Sequence, residues 1–329
     1  MTRPMLQFRV VSPATVEAAI ATQREHADSR FLAGGTDVVV NLRRGLGHAD
    51  VLIDLNGIRE LGGLNCTAAG ARIGAGVTLV ELARSADIAG RYAAVTEAAL
   101  GVAGPGHRNI ATVGGNLCLD TRCVYYNQSE WWRHANGYCL KHGGDICHVA
   151  PQGQRCHAAF SGDLAPALMV LGAQVEIAGS DGRRRIPLAD LYAEDGRAHL
   201  RLASAELLVA VHLPPDPPPS MYAKSRIRAS MDFPLAGVAV ALQFDQGRIR
   251  VLRVALTGTN SCPALLEGTG AFAGLALDDA ALDRLDKLVQ KQVQPMRTTL
   301  APGNYRRVTA AALTRRLVHK LAAQAVRQS

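Results

Sequence analysis

The chain has 329 residues, of which 48% are hydrophobic and 19% are charged, so it is long enough to form two or three folded domains. Its 36 basic and 28 acidic side chains give a formal net charge of +8, but the basic residues form no dense stripe, which argues against nucleic-acid binding. No segment resembles a signal peptide, and no apolar run reaches the roughly 18 residues that cross a bilayer, so we expect a cytoplasmic protein without membrane contact.

The first predicted domain, residues 1–57, is a small unit of helices and strands. Ser12-Pro13 is expected to cap a helix, and short strands are expected at 30–33 and 51–54. The glycine loop Ala33-Gly34-Gly35-Thr36-Asp37 follows the first of these strands and opens a helix, where backbone N–H groups and the helix dipole favour a phosphate. Taken alone, such a loop is as often a simple connection between a strand and a helix as it is a phosphate-binding site.

The second predicted domain, residues 58–219, contains another glycine loop, Ala111-Thr112-Val113-Gly114-Gly115-Asn116. A helix capped by Thr78 is expected before this loop, and strands are expected near 71–75, 173–178 and 207–213. Neither glycine loop matches the dinucleotide fingerprint G-x-G-x-x-G or the P-loop, which disfavours a plain NAD or NTP site. Because two glycine loops can grip a pyrophosphate from both sides, the pair indicates FAD.

A long loop, residues 117–160, is inserted in this domain and carries Cys123, Cys139, Cys147 and Cys156. In a reducing compartment, four thiols in one loop favour a metal site over disulfides. Four thiolates suit either an iron–sulfur cluster or a tetrahedral zinc ion, and the spacing alone leaves both possibilities open. Asp163 follows the loop and precedes an apolar helix, where it is either the N-cap or a ligand contact.

The third predicted domain, residues 220–329, follows a proline-rich connector at 214–219. Strands at 238–244 and 249–257, joined by a turn that contains Gly247, predict a hairpin. Two helices are expected after it, at 278–291 and 305–326.

The two glycine loops, the segment Asp163-Leu164-Ala165-Pro166-Ala167-Leu168 and the C-terminal hairpin together resemble the FAD-binding subunits of the xanthine-oxidase-like molybdenum hydroxylases, over almost the whole chain. The resemblance implies an α+β fold, with two small α/β FAD-binding subdomains of the vanillyl-alcohol-oxidase or PCMH-like type and a C-terminal domain with a β-sheet and helices. It also implies FAD contacts from both loops, from Asp163 and from Lys224. The implied cofactor-binding residues are Ala33, Gly34, Gly35, Thr36, Asp37, Thr112, Gly114, Gly115, Asn116, Asp163 and Lys224.

Within this family, the inserted loop is similar to that of the 4-hydroxybenzoyl-CoA reductases, which holds a [4Fe-4S] cluster. The similarity implies that Cys123, Cys139, Cys147 and Cys156 bind such a cluster. It further implies an oxidoreductase subunit without catalytic residues of its own, which passes electrons from a ferredoxin-like donor through the cluster and FAD to partner subunits. Those partners would be a small [2Fe-2S] subunit and a molybdopterin-binding large subunit that converts 4-hydroxybenzoyl-CoA to benzoyl-CoA, in a dimer of heterotrimers.

Two alternatives fit the same residues. The glycine loops are equally expected in the flavin subunit of a molybdenum hydroxylase that oxidises another substrate, and only the insertion favours the reductase. A protein of a different class, a non-catalytic nucleotide-binding module stabilised by zinc, would contain no flavin. The sequence leaves the electron donor, the direction of electron flow and the substrate open.

Overall fold

The computed structural model of this protein describes residues 7–228 and 231–328. Within these residues the strands form three sheets, of three, five and four strands. Each sheet takes its strands from one continuous stretch of chain, at 9–54, 64–213 and 220–265. The domain boundaries expected after residues 57 and 219 fall between these stretches and stay predictions.

The N-terminal sheet is parallel. Its unit consists of β1 (Arg9–Val11), α1 (Val16–Glu25), β2 (Ser29–Leu32), α2 (Val38–Arg43) and β3 (Val51–Asp54), with strand order β1-β3-β2. The central strand β3 begins with three buried apolar residues, as expected of a parallel strand covered on both faces. The predicted cap at Ser12-Pro13 is wrong, because the hydroxyl of Thr15 accepts the capping hydrogen bond from the Ala18 N–H and the helix begins at Val16.

The central sheet is antiparallel, with strand order β4-β5-β8-β6-β7. The expected cap at Thr78 is confirmed, since Thr78 and Glu81 form a complete capping box at the start of α3. Short 3₁₀ turns lie at Arg59–Leu61 and Leu188–Leu191. The strands and helices are β4 (Leu64–Thr67), β5 (Gly70–Gly74), α3 (Leu79–Arg84), α4 (Ala86–Arg91), α5 (Ala93–Gly101), α6 (Pro105–Arg108), α7 (Val113–Leu117), α8 (Glu130–Ala135), α9 (Leu164–Val170), β6 (Gln174–Gly179), β7 (Gly182–Pro187) and β8 (Leu207–Leu213).

The C-terminal sheet packs between two layers of helices. It contains β9 (Ser220–Ser225), β10 (Ala236–Asp245), β11 (Arg248–Thr257) and β12 (Ala264–Leu265), followed by a 3₁₀ turn at Thr269–Phe272 and by α10 (Asp279–Gln292) and α11 (Gly303–Gln328). The expected hairpin is confirmed, because β10 and β11 pair in antiparallel register. Alternate residues of β10 point to opposite faces, so Val238 and Val240 join the core with α10 and α11, whereas Ala239 and Ala241 join the core of the central domain.

The inserted loop is held at both of its ends by the chain around Gly196. The Thr121 hydroxyl donates to the carbonyl oxygen of Gly196 at 2.5 Å, and the Gly196 N–H donates to the carbonyl oxygen of Cys156 at 2.8 Å. Further along, the Val124 N–H donates to the carbonyl oxygen of Thr298, which lies before α11. The loop is therefore packed onto both the central and the C-terminal parts of the protein.

No helix in the described ranges 7–228 and 231–328 has the length and apolar composition that crossing a membrane requires.

Candidate functional site

A cavity of about 690 Å³ lies between the N-terminal sheet and the central sheet. One wall is the glycine loop after β2, and Leu55 and Asn56, which follow β3, continue it. The cavity thus lies at the carboxyl ends of parallel strands, the edge at which α/β proteins usually bind nucleotides because loop and helix N–H groups point there. Its volume is in the range typical of cofactor sites.

The two glycine loops form neighbouring walls of this cavity and approach each other closely. A methyl group built on Gly34 would lie only 1.9 Å from the carbonyl oxygen of Ile110, directly before the second loop. In the second loop the Thr112 hydroxyl accepts a hydrogen bond from the Gly115 N–H at 3.1 Å and caps α7. Glycine is required at position 34 because no residue with a side chain allows this approach.

Ten of the eleven predicted FAD-binding residues line the cavity. These ten are Ala33, Gly34, Gly35, Thr36, Asp37, Thr112, Gly114, Gly115, Asn116 and Asp163. The eleventh, Lys224, is not a lining residue, but its Nζ atom lies 2.9 Å from Oδ1 of Asp163. Three distant parts of the chain thus meet at one cavity, and the role of each residue toward FAD stays a prediction.

Asp163 is a buried carboxylate held by two side chains from β9. It is the N-cap residue of α9 by position, as one of the two alternatives predicted, but its side chain makes no capping hydrogen bond. Instead, the Tyr222 hydroxyl donates to Oδ1 of Asp163 at 2.6 Å, beside the Lys224 ammonium. Burial raises the pKa of Asp163, although the Lys224 charge and the Tyr222 hydrogen bond lower it. The cavity therefore has one charge-balanced polar wall.

Sequence reasoning missed Tyr222 and several residues that line the cavity. Tyr222 has a recognisable signal, because it lies two positions before Lys224 in a strand and so projects from the same face. Arg122 lies next to Cys123, and its importance became visible only in the folded chain. The missed lining residues that matter most are Asn56, Cys118, Arg122, Met231, Asp232 and Phe233.

Arg122 joins the cavity to the inserted loop. Its guanidinium forms an ion pair with Asp37 of the first glycine loop and lies 4.8 Å from the centre of the Phe233 ring. Burial raises the pKa of Asp37, while the Arg122 charge opposes that rise. Because both charges are largely shielded from water, each depends on the other for compensation.

The four cysteines of the inserted loop lie in one neighbourhood. Cys123 and Cys156 belong to one buried apolar cluster, and Cys139 packs against it. Cys147 is buried as well, and it lies close enough to raise the pKa of both Cys123 and Cys156. Cys118, in contrast, lines the flavin-sized cavity.

Backbone N–H groups point at two of these sulfur atoms. The Ala158 N–H donates to Sγ of Cys156 at 3.4 Å, and the N–H groups of Tyr125 and Tyr126 lie near Cys123, where they lower the pKa of its thiol against the effect of burial. Burial raises the pKa of the Cys156 thiol to about 12, whereas the Ala158 N–H lowers it by stabilising the thiolate. Hydrogen bonds of this kind are among the means by which proteins tune iron–sulfur clusters.

The four thiols do not form a ready-made site for a single metal ion. Among the described residues, no three His, Cys, Asp or Glu side chains are grouped so that they could hold one metal ion. A tetrahedral zinc ion needs its four sulfurs about 2.3 Å from one centre, whereas in a four-iron cluster each thiolate binds a different iron and the sulfurs stand farther apart. The identity of the metal group at these four thiols stays a prediction.

Comparison with known families matches almost the whole chain. Residues 6–216 match the model of the FAD binding domain in molybdopterin dehydrogenase. Residues 220–321 match the model of the CO dehydrogenase flavoprotein C-terminal domain.

Individual relatives give the same result. The chain is 36% identical over 274 residues to the aldehyde oxidoreductase FAD-binding subunit PaoB of Escherichia coli (strain K12), covering 80% of this chain and 84% of that protein. It is 28% identical to the carbon monoxide dehydrogenase medium chain of Afipia carboxidovorans, covering 91% and 90%. A crystal structure of a Cu,Mo-CO dehydrogenase superposes with a TM-score of 0.78 at 26% identity, over 96% of this chain and 98% of that one. These matches confirm the expected mixed α and β fold class.

Proposed function

This chain belongs to the family of FAD-binding subunits of the molybdenum hydroxylases, and we propose that it is the electron-transfer subunit of such a complex, with FAD at its two glycine loops and a [4Fe-4S] cluster in its inserted loop. The observation that carries the proposal is the meeting of ten predicted FAD contacts at one cavity, next to a loop in which four thiols lie together. The chain is accordingly an oxidoreductase subunit rather than a complete enzyme.

The chain's own residues position the flavin rather than react with substrate. Gly34 and Gly115 line the cavity without side chains, so the negative pyrophosphate would approach the backbone closely there. Asp163, Tyr222 and Lys224 provide a fixed polar wall. FAD, when bound, supplies the exchange between two-electron and one-electron chemistry, and the protein contributes orientation and electrostatics.

The proposed cluster depends on the inserted loop alone. The names of the relatives described above mention FAD, molybdenum or copper but no iron on this subunit, so the assignment rests on Cys123, Cys139, Cys147 and Cys156 of this chain. Three of these thiols are buried, and the fourth packs against the same apolar cluster. When bound, such a cluster supplies a one-electron centre.

We propose a molybdopterin-binding large subunit and a small [2Fe-2S] subunit as partners. This proposal is supported by relatives named as the medium chain of a carbon monoxide dehydrogenase and the medium subunit of a nicotine 6-hydroxylase, and by the family model for molybdopterin dehydrogenase. Assembly into a dimer of these trimers and a ferredoxin-like redox partner come from the family resemblance, and the expected cytoplasmic location completes the proposal.

Two reactions are candidates for the activity of the complex. Oxidation of an aldehyde is favoured by the 36% identity to an aldehyde oxidoreductase subunit. Reduction of 4-hydroxybenzoyl-CoA to benzoyl-CoA is favoured by the length and thiol content of the inserted loop. Purified complex should be assayed with an aromatic aldehyde plus an electron-accepting dye, and with 4-hydroxybenzoyl-CoA plus a reduced low-potential donor, because turnover in only one assay decides between them.

The cofactors are tested by quantifying flavin, iron and zinc in one anaerobically purified sample, together with its visible spectrum. We expect one FAD and about four irons per chain, as a [4Fe-4S] cluster requires. Flavin without iron would refute the cluster and leave the FAD assignment intact. Zinc without flavin would refute both.

The ligand assignment is tested by Cys139→Ser, with Cys66→Ser as the matched control. Cys66 lies in β4, outside both the inserted loop and the cavity lining. We expect Cys139→Ser to lose cluster iron while it keeps FAD, and Cys66→Ser to keep both. Unchanged iron in Cys139→Ser would remove that residue from the ligand set.

A further inference from the structure

A chain of contacts between charged residues connects the flavin cavity to the cysteine loop. Asp37 of the first glycine loop forms an ion pair with Arg122 and accepts a hydrogen bond from the Asp120 N–H at 3.2 Å. The Asp120 carboxylate in turn lies 2.6 Å from Nζ of Lys141. We call this series, in the order of its contacts Arg122, Asp37, Asp120 and Lys141, the charge ladder. It links a loop near the start of the chain to residues about a hundred positions later.

The ladder is shielded from water for most of its length. The side chains of Lys141, Arg122 and Asp37 are 5%, 14% and 21% exposed. Salt screens such charges weakly, and removing one partner leaves an uncompensated charge in a poorly solvated place. The positions of neighbouring members are therefore interdependent.

The two ends of the ladder lie in different sites. Asp37 and Arg122 line the flavin cavity, whereas Lys141 does not. Lys141 lies two positions after Cys139, and its ammonium is 4.6 Å from the centre of the Tyr126 ring, which belongs to the same apolar cluster as Cys123. Lys141 also donates to the carbonyl oxygen of Thr121 at 3.1 Å, two residues before Cys123. The charge ladder thus reaches from the first glycine loop to the base of the cysteine loop.

We propose that the charge ladder couples the two sites, so that FAD binding at the glycine loop stabilises the cysteine loop. By thermodynamic reciprocity, stabilising the cysteine loop then raises the affinity of the glycine-loop cavity for FAD. Lys141 is a positioning residue in this scheme. It does not line the cavity, and its hydrogen bonds go to Asp120 and Thr121 rather than to a predicted sulfur ligand. The inference rests on the proposed function for FAD but does not need the iron–sulfur cluster.

The test is hydrogen exchange of the full chain with and without FAD, followed in peptides that cover residues 123–156. In the wild type, FAD should slow exchange in these peptides by about fivefold or more, the lower end of common coupling strengths. Lys141→Met should keep FAD in its cavity but lose most of this slowing, and Lys141→Arg, which retains the charge, should restore it. The matched control is Arg315→Met, which breaks an ion pair with Asp283 and Asp286 far from both sites.

The outcomes separate the inference from the proposed function. Equal exchange with and without FAD in the wild type would overturn the coupling, even where Lys141→Met fails to fold. An undiminished effect of FAD in Lys141→Met, or an effect lost equally in Arg315→Met, would also overturn it. A chain without iron would refute the proposed cluster and leave this test unchanged, since the test uses FAD alone.

Discussion

Replacing Gly34 with alanine is expected to weaken FAD binding strongly. The added methyl carbon would lie 1.9 Å from the carbonyl oxygen of Ile110 and 2.6 Å from its carbonyl carbon. Ordinary van der Waals contact begins near 3.4 Å, so the two glycine loops would have to separate by about 1.5 Å. Both sides of the contact are backbone, and no flexible side chain can move aside to relieve it. Overpacking of this kind costs about 1–3 kcal/mol.

The assay is the dissociation constant of FAD, measured from the fluorescence of flavin released on dilution of the full chain. Because each 1.4 kcal/mol corresponds to a factor of ten, we expect the constant for Gly34→Ala to rise about tenfold to a hundredfold. Gly106→Ala is the matched control, since its methyl group would meet nothing within 4 Å although His107 beside it lines the same cavity. Wild-type affinity in Gly34→Ala would refute the conclusion that the close approach of the two loops forms the FAD site.

Two further predictions concern buried charges. Burial lowers the pKa of His199 to about 4. Between about pH 6.5 and pH 4 the unfolded chain therefore binds a proton at His199 that the folded chain does not bind, so the free energy of unfolding falls as the pH drops through this range. The loss in free energy of unfolding should approach about 3 kcal/mol. In His199→Phe, the plot of unfolding free energy against pH should be flatter over this range, and an unaltered slope would contradict the assignment to His199. Lys224→Met should lower the free energy of unfolding by about 3–5 kcal/mol, because it leaves the buried Asp163 carboxylate unpaired. Adding Asp163→Asn should recover part of that loss in denaturant titrations, and a larger loss in the double variant would argue against the pair.

Local elements of the fold were predictable because they depend on neighbouring residues. The strand at Val51–Asp54 and the capping box at Thr78 lie where the sequence pattern places them. Apolar periodicity, capping hydroxyls and turn glycines act over a few positions, and these signals are present in the sequence itself. The wrong prediction at Ser12-Pro13 is an error of a few positions, since the capping hydroxyl belongs to Thr15, three positions after Ser12.

By itself the sequence determined the two glycine loops, the presence of four thiols in the insertion and the β10–β11 hairpin, because each depends on residues that lie near one another in the chain. Only the tertiary structure decided that Arg122 pairs with Asp37 and that Tyr222 donates to Asp163. These partners lie 85 and 59 positions apart, and a pairing at such distances depends on how whole sheets and helices pack. The physical reason is burial: a charge removed from water must find its compensation in whatever the fold places beside it, and the local sequence does not specify that neighbour.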